Sequence, residues 1–264
     1  GLRKDEAWIA GIYVDTIRRL GEKSEFQEEV DEINRKLELK TDKKLNKLWR
    51  DTRKISLDAF EKIYDELDVK FDHYFFESEL EERGREISKE LTKKGIARVS
   101  DGATIIDMEK YNLGVWVLLR KDGTVLYPAK DIALVEKKFK KHKINKAIYV
   151  VGSEQRMHLE QLRKTLELMN FKHGRDCRFV HFDLVRLPTG KMSSRTGENI
   201  LYSTFKDELV NYAEKEIKKR HKLGGKEMRE RALAIAIASM KYSMLKQDSN
   251  KVMIFDKAEA MRFE

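Results

Sequence analysis

A single cysteine, Cys177, stands in the whole sequence. A disulfide scaffold is excluded by that alone, and so is a cysteine-rich zinc site, because both need several thiolates. Proline is nearly absent: only Pro128 and Pro188 occur, each beside a segment that reads as a loop. No apolar run reaches the roughly 20 residues of a membrane span, so no membrane association is expected. No signal-peptide pattern, internal repeat or low-complexity stretch is visible. The scarcity of cysteine fits a reducing compartment, and a cytoplasmic location is expected.

What is present is charge. The 264 residues are 41% hydrophobic and 38% charged, enough for one large domain or two smaller ones with real cores. Lys and Arg number 55 against 46 Asp and Glu, a formal net charge of +9. An excess of that size suits a polyanionic partner such as RNA or ATP, and equally a solvated surface. The abundance of Lys and Glu leans towards a heat-adapted source. The chain begins at Gly1 and ends within an amphipathic pattern at Phe263-Glu264, so an internal piece of a longer protein is expected.

Hydrophobic spacing predicts helices over residues 1–95. Trp8, Ile9, Ile12, Ile17 and Leu20 recur at helical intervals, as do Val30, Ile33 and Leu37, and then Leu45, Leu48, Trp49, Phe60 and Ile63. A charge-laced helix from Ser78 should end at Gly95. The aromatic run Phe71, His73, Tyr74, Phe75 and Phe76 reads as core in preference to a base-stacking platform. From Ala97 the pattern turns to short β-branched runs at 103–106, 114–119 and 125–127, with Lys121-Asp122-Gly123 as a hairpin turn. A helix over 129–140, a buried strand over 147–151, a helix over 153–169 and a strand over 178–184 follow. That alternation predicts an α/β fold with a parallel, nucleotide-binding type of sheet. The last stretch is helical again from Ser203 or Thr204. Residues 232–245 are apolar nearly all round and are expected to be buried.

In an open parallel sheet, ligands bind beyond the carboxyl ends of the strands. Three segments fall there. Leu126–Asp131 leaves a strand and opens a helix, with Tyr127 and Asp131 four residues apart on one face. Val151–His158 places Gln155 and His158 in the first turn after a strand. The third, Lys191-Met192-Ser193-Ser194-Arg195, lies between Gly190 and Gly197. Its cations and hydroxyls suit the charge that develops on reacting phosphates. Each segment also has a plain structural reading. Asp131 fits a helix N-terminal acid, Gln155 a first-turn amide, His158 a structural histidine, and the loop a basic surface turn.

Taken together, residues 60–72 (FEKIYDELDVKFD), 126–132 (LYPAKDI), 148–158 (IYVVGSEQRMH), 190–197 (GKMSSRTG) and 238–248 (ASMKYSMLKQD) resemble arginyl-tRNA synthetases, members of class I of the aminoacyl-tRNA synthetases. The resemblance spans nearly the whole chain with its motifs in the family's order. It implies the second half of a Rossmann-like nucleotide-binding catalytic fold over residues 111–202. A largely helical insertion, 1–110, would precede it, and helices over 203–264 would lead to an anticodon-binding domain. It implies that Tyr127, Asp131 and Gln155 hold L-arginine, and that Lys191, Met192 and His158 contact ATP. Lys191, Ser193, Ser194 and Arg195 would act as the mobile catalytic loop. ATP as substrate with its Mg²⁺, tRNA(Arg) as partner, no zinc and a monomeric state follow from the same likeness. Three features depart from the family pattern, the first being that the chain stops where the family's anticodon-binding domain is expected to begin. The His-x-Gly-His turn that holds ATP is absent, and Ser194 stands where a second Lys is usual. The chain itself is therefore expected to be inactive alone. The rival readings are another class I synthetase, such as that for cysteine, and a non-catalytic RNA-binding or scaffolding module.

Overall fold

In the computed structural model the described residues are 6–23, 25–187, 190–191 and 201–254. They fall into two compact units, Gly1–Phe71 with Leu184–Glu264, and Asp72–Asp183. The first unit opens with helices α1 (Glu6–Glu22), α2 (Phe26–Glu38) and α3 (Lys43–Glu66), which pack pairwise. The α3 start is set by Asp42, whose carboxylate accepts the Leu45 N–H at 2.9 Å, filling one orphan donor of the first turn. Helical spacing is thus realised, but burial is shallow. No residue of α2 is buried, and Asn46 is the one buried residue of α3.

The second unit begins with a strap, residues 72–76, in which no aromatic side chain is fully buried. The expectation of core is corrected here: the His73 and Phe75 rings rest on His142, at the end of a helix, with His73 exposed and Phe75 half-buried. Helix α4 (Glu81–Lys93) ends as Gly95 requires, at φ +69. The Gly95 and Ile96 N–H groups return to the carbonyls of Thr92 and Leu91, the double closure that a left-handed residue permits. Strands β1 (Arg98–Ser100), β2 (Ala103–Asp107) and β3 (Val115–Leu119) form an antiparallel meander. The Lys121-Asp122-Gly123 turn is present, with Gly123 at φ +84. The returning chain makes a single bridge, Leu119 to Val125, and not a strand. It stops there because α5 (Tyr127–His142) starts immediately, with Pro128 in its first turn where no N–H is needed.

Next come β4 (Ala147–Gly152), a 3-10 turn Ser153–Gln155, α6 (Arg156–Leu168) and β5 (Cys177–Phe182). Strands β4 and β5 are parallel and in register from Ala147↔Cys177 to Gly152↔Phe182. Their alternate residues face opposite ways. Ala147, Tyr149, Val151, Cys177 and Phe179 join a core with Ile87, Leu91, Met108, Trp116, Leu118, Ile132, Val135, Leu162 and Leu166. Burying a side chain of this size contributes about 1.5–3 kcal/mol. The opposite face, with Ile148, Val150, Val180 and Phe182, is exposed, so the expected fully buried strand is half-buried instead. Helices α4 and α5 meet at Gly84. A Cβ there would lie 3.0 Å from Val125 Cγ1 and 3.2 Å from the Ala129 carbonyl carbon.

The chain then returns to the first unit. Strand β6 (Val185–Leu187) pairs antiparallel with β7 (Gly190–Lys191). Helices α7 (Tyr202–Arg220) and α8 (Gly225–Leu245) pack through Phe205, Leu209, Val210, Ala213 and Ile217 against Met228, Ala232, Ala236 and Met240. Strand β8 (Met253–Ile254) is parallel to β6. The apolar surface of α8 is not buried all round. One face packs, while Tyr242 and Leu245 are 71% and 80% exposed. Glu66 ties α3 to α7, accepting from Tyr202 Oη at 2.8 Å and Lys206 Nζ at 2.8 Å.

Candidate functional site

Within the second unit, a cavity of about 730 Å³ opens where β4 ends and α5 begins. Tyr127, Asp131, Gln155 and His158 all line it. These four were singled out in the sequence from separate stretches, and the fold brings them together. Tyr127 and Asp131 come from the first turns of α5, one above the other at helical spacing. Gln155 closes the 3-10 turn after β4, and His158 follows on α6. For Gln155 and His158 the parallel pairing accounts for this, since the segment leaving the carboxyl end of β4 faces the mouth of the crevice; Tyr127 and Asp131 arrive there through the turn after the single Leu119–Val125 bridge, which opens α5.

The geometry around His158 fixes its tautomer. Trp116 Nε1, which can only donate, reaches His158 Nδ1 at 3.1 Å. Nδ1 must then be the bare nitrogen, and the proton sits on Nε2. From there it is donated to Asp131 Oδ2 at 2.6 Å. A neutral imidazole so held orients the carboxylate and leaves Asp131 Oδ1 free of this bond. The Tyr127 ring packs on the same imidazole, centroids 4.7 Å apart. The His158 side chain is 11% exposed and that of Asp131 35%, so the carboxylate is the part that meets solvent.

Cations ring the cavity without neutralising Asp131 directly. Lys130 Nζ sits 3.4 Å from Glu77 and 3.7 Å from Glu81, so its charge is taken up at the rim. Lys138, half-buried, lies over the Tyr149 ring at 4.3 Å from the centroid. Burial pushes the Lys138 ammonium below its ordinary range, opposed by the nearby Asp131 charge. Burial pushes the Tyr149 phenol above its own range. At the ends of β4 and β5, Ser153 Oγ donates to Asp183 Oδ1 at 3.1 Å. Such an arrangement, a fixed carboxylate with a phenol and an amide beside an apolar wall, suits a planar cation with several N–H donors.

Of the expected loop, the Lys191 backbone is placed in β7, opposite Arg186. Met192, Ser193, Ser194 and Arg195 lie outside the described residues. Sequence reasoning missed Trp116, Lys138, Tyr149, Ser153 and Asp183. Ser153 and Asp183 carried a usable signal, since each follows the end of a parallel strand. Trp116 carried none.

The family comparison gives the class. Residues 4–257 match the family described as "tRNA synthetases class I (R), catalytic domain", and the chain belongs to that family. Among curated relatives, it is 33% identical over 219 residues to an arginine–tRNA ligase of Bdellovibrio bacteriovorus, covering 82% of this chain and 38% of that protein. It is 34% identical over 268 residues to the arginine–tRNA ligase of Lactococcus lactis subsp. lactis, covering 98% and 47%. In fold it is similar to the arginyl-tRNA synthetase of Plasmodium falciparum, with a TM-score of 0.70 at 19% identity over 96% of this chain and 45% of that one. The Thermus thermophilus arginyl-tRNA synthetase is similar too, with a TM-score of 0.69 at 20% identity, covering 93% and 47%. The chain thus spans less than half the length of these relatives.

Proposed function

We propose that this chain carries the amino-acid pocket and the phosphate loop of an arginine–tRNA ligase. The observation that carries the reading is Asp131, oriented by the Trp116–His158 chain and facing a cavity shared with Tyr127 and Gln155. The guanidinium of L-arginine donates parallel N–H bonds to that carboxylate, Tyr127 packs beside the side chain, and Gln155 takes the α-amino end. The arginine carboxylate then attacks the α-phosphate of ATP. A P–O bond to the carboxylate forms, the bond to the β-phosphate bridging oxygen breaks, and pyrophosphate leaves. A terminal ribose hydroxyl of tRNA(Arg) next attacks the adenylate carbonyl and AMP leaves. Little covalent side-chain chemistry is required; positioning and charge stabilisation do most of it.

Lys191, Ser193, Ser194 and Arg195 serve the first step as donors to the phosphate oxygens, with Met192 against the nucleotide. Gly190 and Gly197 permit closure over it. Both His158 ring nitrogens are engaged within the protein, so any contact with ATP is made by the ring's edge. Mg²⁺ arrives with the triphosphate. Among the described residues no group of three or more His, Cys, Asp or Glu side chains converges to hold a metal. No helix among the described residues is long and apolar enough to cross a membrane. The reading is of a monomeric, cytoplasmic enzyme.

Arginine-dependent exchange between ATP and pyrophosphate, measured on a polypeptide containing this chain and the ATP-binding turn it lacks, tests the proposal. Exchange that depends on arginine supports it, and a protein that binds tRNA without any exchange supports the scaffolding alternative. The 264-residue chain alone is expected not to charge tRNA.

A further inference from the structure

Trp116 and Asp131 hold the His158 ring at its two nitrogens, and they act on its charge in opposite senses. A carboxylate at one imidazole nitrogen favours the doubly protonated, cationic ring, because opposite charges attract. In that state both ring nitrogens are donors. Trp116 Nε1 can only donate, and it lies 3.1 Å from Nδ1, while Nε2 lies 2.6 Å from Asp131 Oδ2. A second proton, placed on Nδ1, would meet the indole N–H donor to donor. The indole has little room to yield. Trp116 is 3% exposed, it belongs to the core through β3, and its ring centroid lies 5.3 Å from that of the imidazole.

The charge on His158 decides what Asp131 has left to offer. A cationic ring would pair with the carboxylate and take up the negative charge that an incoming guanidinium needs. A neutral ring orients the carboxylate and leaves its charge uncompensated. The other ionisable groups of the cavity do not reverse this balance. Glu77 would favour a cationic ring, but it faces Lys130. Lys138, its ammonium over the Tyr149 ring, disfavours a second positive charge, as Trp116 does. The Tyr127 ring packs on the imidazole, and Glu160 of the same helix is paired with Arg163. We propose that Trp116 is a positioning residue that opposes a second proton on His158 and so keeps the Asp131 carboxylate free as the counter-ion of a guanidinium. This rests on the reading of the cavity as the arginine pocket. It adds a residue, remote from the ligand, that keeps the pocket's negative charge from being spent within the protein.

Trp116→Phe keeps an aromatic ring in the core and removes the N–H. Nitrogen NMR of the His158 ring and titration with L-arginine, on the parent and variant 264-residue chains, give the test. Both are followed from about pH 8.5 to about pH 5, the span in which imidazoles titrate. The variant ring should take its second proton more readily, by about twofold to tenfold, the worth of one neutral hydrogen bond. The arginine dissociation constant of the variant, divided by that of the parent, should therefore climb from near one at the alkaline end towards about twofold to tenfold at the acid end. Lost packing alone changes affinity by a factor that does not vary with pH, so a constant ratio overturns the proposal. A variant ring that protonates at the same pH as the parent ring, with arginine bound by both, also overturns it and leaves the pocket reading intact. Benzothienylalanine in place of tryptophan keeps the fused rings and lacks the N–H. It replaces Trp8 and Trp49 as well, neither of which lines the cavity, and the same two readouts decide the matter if the phenylalanine variant does not fold. A parent chain that binds no arginine at millimolar concentration removes the pocket reading and this inference with it.

Discussion

Asp131→Asn tests the site's electrostatics in a way that the His158 geometry makes specific. Asparagine matches the shape of aspartate, so packing is unchanged, but its two terminal atoms differ. The His158 tautomer decides which of them faces the cavity. Trp116 holds Nδ1 as an acceptor at 3.1 Å, so Nε2 keeps its proton and must donate. The carbonyl oxygen of the introduced amide takes that bond, at the position where Asp131 Oδ2 now sits 2.6 Å away. The amide NH₂ is then turned towards the ligand and meets the guanidinium donor to donor. The variant loses a charge-assisted pair, about 1.5–3 kcal/mol, and gains a mismatch. The arginine dissociation constant should rise at least about tenfold and up to about several hundredfold. Folding should suffer by only about 0.5–1.5 kcal/mol, since the imidazole keeps a neutral acceptor. Calorimetric titration with arginine and a denaturant melt measure the two quantities. In a complete enzyme the Michaelis constant for arginine should rise far more than that for ATP. An arginine affinity unchanged in the variant would refute the reasoning and assign Asp131 to holding His158 and the start of α5.

Lys191→Ala in a complete enzyme should lower the turnover of adenylate formation about a hundredfold to a thousandfold and change the ATP constant little, because its contribution belongs to the transition state. If only the tRNA constant rises, and does so with salt, Lys191 is a basic RNA-facing residue instead. Gly84→Ala should destabilise the chain by about 1–3 kcal/mol, since the added carbon meets Val125 Cγ1 at 3.0 Å and backbone of Ala129 at 3.2 Å; a wild-type melt would show that α5 can move aside. Arg83 joins α4 to α5, bonding Glu90 at 2.7 Å and Glu136 at 2.9 Å. Arg83→Met should cost about 1 kcal/mol near neutral pH. The Arg83 hydrogen bond holds the Glu90 carboxyl below its ordinary range. A depressed carboxylate stabilises above its unfolded value, roughly 4.3, and that stability is lost as pH falls through the folded value. The gap between the two proteins should therefore close in acid, and a gap constant down to about pH 2 contradicts the ion-pair account.

The parts of the fold that depend on local spacing were readable. Helix periodicity placed α1 to α3, and the charge-laced stretch ending at Gly95 placed α4; α5 was expected from residue 129 and starts two residues earlier, with Pro128 in its first turn. Gln155 and His158 could be placed in advance because they follow the carboxyl end of a parallel strand, whereas Tyr127 and Asp131 share their cavity although the expected strand before them is only a single bridge. Burial was read less well. Residues 71–76 are largely aromatic yet none is fully buried, and one face of β4 and β5 is open. A run of apolar residues states that burial is favourable, not which neighbour supplies it. The Trp116 bond to His158 spans 42 positions and leaves no periodic trace. Tyr149 and Lys138 looked like strand and helix filler until the cavity joined them.

The central claim is that the cavity selects a guanidinium by charge. L-Citrulline has nearly the shape of L-arginine but carries a neutral urea, so the pair isolates that charge. Titrating the isotopically labelled chain with each, and following the His158 ring and the Asp131 and Gln155 backbone signals, is the direct measurement. The account predicts saturable shifts at all three with arginine, and none with citrulline at the same concentrations. Equal shifts with both, or arginine-induced shifts confined to residues away from the cavity, would contradict it.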